Sequence, residues 1–180
     1  DNTDSRVHDL LMKRAELVND ELKVKRKENI RDLTIYRPAR EHEILLRLIK
    51  RHKGSMPIKS LVSIWRKLIS TYISIQGELK LSFSDRIDDI VNDYFSADIK
   101  KIKTKTSLGS LKKLYENKCN ITILPFPSKK NNWWYKLSNF SGIKVVGSLS
   151  DSSNGDIVAL VLSKQDIEYA GINTALYSIK

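Results

Sequence analysis

One cysteine, Cys119, in 180 residues allows neither an intrachain disulfide nor a thiolate metal cluster. The three histidines, His8, His42 and His52, lack ligand spacing such as an i, i+4 pair. No nucleophilic triad, metal motif or phosphate-cradling loop stands in the sequence, so no cofactor and no metal are expected. Sparse cysteine fits a reducing, cytoplasmic setting. No apolar run approaches the ~20 residues of a membrane helix, so no membrane association is expected. The sequence opens at Asp1 without a methionine and reads as helical by Ser5, so the natural start is expected upstream and targeting is not read from this end.

Acidic residues are also in short supply. Asp and Glu number 21 against 32 Lys and Arg, a formal charge of +11. Such a balance suits nucleic acid, an anionic membrane surface, an anionic small molecule, or no partner at all in a lysine-rich composition. The lysines are spread over the whole length, so a nucleic-acid partner is not expected. The hydrophobic fraction of 41% suffices for a packed core. The length admits one ordinary domain or two small ones.

Residues 4–32 contain no Gly or Pro, and Val7, Leu10, Leu11, Val18 and Leu22 recur at helical steps. A helix that long with one narrow apolar stripe requires a partner along its length, as in a bundle or a dimer. Arg14 falls on the stripe, and Lys25 follows eleven residues later. Eleven residues at ~100° each return to within ~20° of the same direction, ~16 Å along the axis. The two cations therefore share a face and can lean toward one point, although either alone is better explained by its stem lying along the seam with the charge in solvent. After a break at Thr34 to Arg37, Pro38 suits the first position of a second helix running to about His52, with Ile44, Leu45, Leu48 and Ile49 as its buried face. Arg40 and Glu41 sit in its first turn. Gly54 stops it, and Pro57 opens a third helix from Ile58 to about Leu79 carrying Leu61, Trp65, Leu68, Tyr72 and Ile75. Gln76 lies one turn beyond Tyr72 on the same side, either on the surface or buried with a hydrogen-bond partner. Arg14, Lys25, Arg40, Glu41 and Gln76 read together as one site for a small dianion.

The pattern changes after residue 82. Ser82 to Asp85 reads as a link or kink and Asp85 to Tyr94 as a helix. Strands are expected near 98–104, 121–124, 143–146, 157–162 and 174–179, with helices at 107–117 and 133–137 and a turn-rich loop at 148–155. The expected architecture is multidomain: a three-helix unit over 1–82 and a small α/β domain over 83–180. Trp133 and Trp134 line a pocket or plug a small core.

Arg14-Ala15-Glu16-Leu17, Lys25, Tyr36-Arg37-Pro38-Ala39-Arg40-Glu41, and Trp65 to Ser70 leading to Ile75-Gln76 resemble, in order and spacing, the all-helical chorismate mutases over about 80 residues. The resemblance implies a domain-swapped homodimer with intertwined first helices, in which each site borrows an Arg from the other subunit. The matching Arg would lie about one turn before Asp1. Two substrate-facing positions depart from the family: Arg37, where many members are acidic, and Tyr72, where the residue is often small and polar. Residues 95–180 are loosely similar to one lobe of a prephenate dehydratase-type domain, but Thr174-Ala175-Leu176 stands where that family has Thr-Arg-Phe, which argues against dehydratase activity.

The implied reaction rearranges chorismate to prephenate, in phenylalanine and tyrosine biosynthesis, without nucleophile or proton transfer. It needs the substrate held in a reactive shape and the growing charge on an ether oxygen met by donors. By resemblance, Arg14 grips one carboxylate as a planar fork. Lys25 and Gln76 donate to the ether oxygen, Glu41 accepts from the substrate hydroxyl and orients Lys25, and Arg40 contacts substrate or holds the helix start. An isochorismate-pyruvate lyase and a non-catalytic regulatory protein on the same scaffold are the alternatives.

Overall fold

The computed structural model describes residues 1–27, 36–151 and 155–168, with the backbone alone for Lys25, Arg26 and Asp85. The expected strand at 174–179, with Thr174-Ala175-Leu176, and most of the joint between the first two helices lie outside the described residues.

Three helices come first: α1 (Asn2–Lys27), α2 (Pro38–Arg51) and α3 (Ile58–Gln76). Asp1 accepts from the Thr3 amide at 2.5 Å, satisfying an amide at the start of α1. On α1, Leu22 is buried and Leu11 and Val18 are half-buried, yet Val7, Leu10, Leu17 and Val24 remain 52–67% exposed. Pro38 is in the first turn of α2, preceded by Arg37 at φ −124° and ψ 76°, outside the helical region that a following proline disfavours. Ile44 and Leu45 pack inward as expected, but Ile49 on α2 and Ile75 on α3 are 38% exposed. The buried side of α3 is instead carried by Ile69, Ser70, Tyr72 and Ile73.

The helical run ends at Gln76, not Leu79, and the segment expected to be a link is a strand. Strand β1 (Lys80–Ser84) pairs with two neighbours in a five-stranded sheet of order β2-β1-β3-β5-β4. The others are β2 (Lys100–Thr104), β3 (Ile121–Pro125), β4 (Lys144–Ser150) and β5 (Ile157–Ser163). β1 runs parallel to β2 and β3, while β5 is antiparallel to β3 and β4. Helices α4 (Asp88–Tyr94) and α5 (Ser107–Tyr115) make the two crossovers, and a 3₁₀ stretch (Trp133–Asn139) precedes β4.

The reason for the misread link is visible in Leu81-Ser82-Phe83-Ser84, which alternates with period two. Leu81 and Phe83 join Ile121, Ile123, Ala159 and Val161 in the core on one face. Leu124, Leu160 and Leu162 form the other core with α5 residues Leu111 and Leu114. The serines are buried rather than solvated: the Ser82 hydroxyl has Ser110 O at 3.1 Å and Thr122 Oγ1 at 2.8 Å within hydrogen-bond reach. Small hydroxyls under α5 look like loop composition in a sequence, but here they bond the sheet to its helix.

The first core also contains Ile69 and Ile73 of α3 and Tyr36 before α2. Helices and sheet therefore share one interior, and β1 straddles the boundary expected at residue 82. At Gly147 of β4, a methyl group would meet Pro38 Cβ at 3.4 Å and the Tyr36 hydroxyl at 3.7 Å. The absent side chain lets the start of α2 rest on the sheet. Among the described residues no helix is long and apolar enough to cross a membrane.

Candidate active site

The three helices and Arg37, just before α2, line a cavity of about 110 Å³. Arg14, Arg37, Arg40, Glu41, Tyr72 and Gln76 all line it. These are all but one of the residues singled out from the sequence. The exception, Lys25, lies on α1, its side chain outside the described residues. Val18, Ile44, Ile69 and Ile73 give the cavity apolar walls.

Among the described residues Arg14 is held by packing rather than by salt bridges. Its guanidinium lies 5.1 Å from the Tyr72 ring centroid, and its Nε is buried with no hydrogen-bond partner. The Tyr72 hydroxyl donates to Leu11 O at 3.2 Å, pinning the ring against α1. A buried N–H without an acceptor costs free energy until something fills it, which suits an anion-binding group. Tyr72 is thus the surface against which the Arg14 guanidinium rests. Burial raises its phenol above the ordinary value, partly offset by Arg14.

Glu41 is only 16% exposed at the side chain. Burial pushes its carboxyl up to about 7, and Arg66 pulls in the opposite direction. The Arg66 Nε sits 4.0 Å from Glu41 Oε1, too long for a hydrogen bond, so the attraction is charge alone. Arg66 in turn lies 4.1 Å over the ring of Tyr94, from α4. Burial pushes the Tyr94 phenol up to about 12. Arg66 lies in the Trp65 to Ser70 run, outside the residues that the sequence groups into a site. The side of α3 it occupies becomes significant only once α4 packs there, and no local signal marks it.

Arg37 carries less free charge than the sequence implies. Its Nε donates to Glu168 Oε1 at 2.7 Å, and Gln165 Nε2 donates to Tyr36 O at 2.7 Å. The segment after β5 thus straps the residues that lead into α2. Arg40 is exposed at the cavity edge, and Gln76 is half-buried at the end of α3.

Against known proteins, a family model described as chorismate mutase type II matches residues 1–77. The match ends at Gly77, one residue past the end of α3. It marks an N-terminal helical domain of chorismate mutase type, followed by a small mixed α/β sheet region. No curated protein and no solved structure matches the chain.

Proposed function

We propose that this protein is a chorismate mutase, rearranging chorismate to prephenate by holding a dianion among fixed cations and an amide. One observation carries the reading: Arg14, the Arg40-Glu41 pair and Gln76, from three separate helices, line a single cavity within the matched residues. The chemistry suits that set. Breaking one C–O bond while forming one C–C bond within one molecule requires no nucleophile, so the protein contributes orientation and charge. Arg14, with its buried unpartnered Nε, takes one substrate carboxylate. Gln76 and Lys25 donate to the ether oxygen as negative charge grows there. Glu41 accepts from the substrate hydroxyl and orients Lys25, and Arg66 positions Glu41. Arg40 approaches from the cavity edge.

The active species in this reading is a homodimer with intertwined first helices. The uncovered apolar residues of α1 support it. In the α/β part, parallel β1, β2 and β3 followed by antiparallel β5 are compatible with a single lobe of the dehydratase type, serving as a support for the mutase helices rather than as a second catalyst.

The test is direct: purified protein is mixed with chorismate, then with isochorismate, and loss of each is followed. Loss of chorismate with formation of prephenate supports the proposal. Pyruvate release from isochorismate alone would assign a lyase instead, and no turnover by a folded protein would assign a binding role. Arg14→Ala and Lys25→Ala are each expected to lower turnover at least about a hundredfold, the scale of losing one charged donor at a developing oxyanion. Near-normal turnover in either variant removes that residue from the site.

A further inference from the structure

A second polar cavity, of about 250 Å³, lies at the carboxyl end of β1, far in sequence from the helical site. Parallel strands with helical crossovers commonly place a ligand crevice at that end of the sheet. Three observations coincide there. Arg86, Lys105, Lys130 and Lys136 line the cavity, and no carboxylate does so among the described residues. Ser107, the first residue of α5, is also in the wall. The Thr106 side chain caps the Gly109 amide at 3.1 Å, so the amides of Ser107 and Leu108 keep no acceptor within the helix. Most telling is Ser84, the last residue of β1. It is 1% exposed, lines this cavity, and its hydroxyl has no hydrogen-bond partner.

Its neighbour on the same face, Ser82, bonds Ser110 O and Thr122 Oγ1. A buried hydroxyl left unmatched beside one that is matched twice is a cost without return unless something occupies the cavity. Arg86 is held in place: its Nη1 donates to Asn131 Oδ1 at 2.9 Å, which leaves its other guanidinium donors free to point elsewhere. Lys105, Lys130 and Lys136 have no acidic partner among the described residues.

We propose that the cavity between the end of β1, the start of α5 and the Lys130–Lys136 segment binds a compact small-molecule dianion. Its charged group sits over the α5 amides, the Ser84 hydroxyl and Arg86. The chemical class is a phosphate monoester or a small dicarboxylate, since both present two negative charges and several acceptor oxygens to amides and a guanidinium. Trp133, buried and donating to Pro125 O at 2.9 Å, forms a rigid wall and a natural reporter. This inference does not rest on the mutase reading.

The experiment uses the whole chain, nitrogen-15 labelled, titrated separately with inorganic phosphate and with succinate against sodium chloride of matched ionic strength. The Trp133 indole N–H and the Ser107 and Leu108 amides are followed. Saturable shifts in the millimolar range or tighter are expected, at least tenfold weaker in Arg86→Gln/Lys130→Gln and unchanged in Arg14→Ala. Ser84→Ala is expected to weaken binding several-fold while leaving the thermal midpoint in anion-free buffer unchanged or raised, which a structural hydroxyl would not do. A response to phosphate alone, or to succinate alone, identifies the head group, and either supports the proposal. Shifts that do not saturate or that chloride reproduces, saturable binding indifferent to Arg86→Gln/Lys130→Gln, or binding abolished by Arg14→Ala would each overturn it.

Discussion

Burial holds the Glu41 carboxyl up at about 7, while the Arg66 guanidinium 4.0 Å away favours its charged form. A carboxyl raised above its unfolded value contributes stability that is fully present below about 4.5 and is lost as pH rises through about 7. Glu41→Gln, which cannot ionise, is therefore expected to be more stable than the parent at pH 8, by on the order of 1–3 kcal/mol, and similar to it at acid pH. Urea midpoints at the two pH values measure this; equal midpoints throughout would place Glu41 in water. If Glu41 accepts from substrate as its anion, kcat/KM should also rise with pH through about 7, and Glu41→Gln should abolish that limb. Arg66→Met removes the group that favours the anion, so the limb should move to higher pH, and Arg66→Lys should bring it partly back. A pH profile unmoved by Arg66→Met would leave Arg66 as packing under Tyr94 and no more.

Among the elements, β4 and α2 meet where neither sequence segment advertises it. Gly147 provides the space into which Pro38 fits, and Pro38 begins the turn that carries Arg40 and Glu41. Alanine at 147 makes only ordinary contact at 3.4 Å and is expected to be tolerated. Valine adds two branches against Pro38 and Tyr36. The expected cost is about 1–3 kcal/mol, the usual scale of overpacking, with a fall in turnover because the start of α2 shifts. Chemical denaturation and the chorismate assay together check it; full activity in Gly147→Val would mean that the sheet does not position the site. The strap from Gln165 and Glu168 to Tyr36 and Arg37 acts on the same joint from the other side.

For the whole molecule, α1 leaves Val7, Leu10, Leu17 and Val24 more than half exposed. A row of large apolar side chains on one helix is a surface that association would cover. Leu10→Lys combined with Val7→Lys is expected to shift sedimentation from dimer to monomer and to lower turnover, with helix content retained. A parent chain that sediments as a monomer at every concentration would refute the dimer.

The sequence by itself determined the helical half of this protein in detail. A 3.6-residue apolar period, proline at two helix starts and glycine at a stop are local signals, and they placed α1, α2 and α3 close to their observed bounds, with Arg14 on the apolar stripe of α1 and Arg40 and Glu41 in the first turn of α2. Only the tertiary structure decided the rest. Whether Ser82 and Ser84 lie in a linker or beneath a helix, whether Arg66 has a carboxylate and a ring to hold, and how far Arg37 is neutralised all depend on elements distant in the chain. The physical reason is that backbone period is written residue by residue, whereas burial and pairing of a polar side chain are set by whichever distant surface covers it.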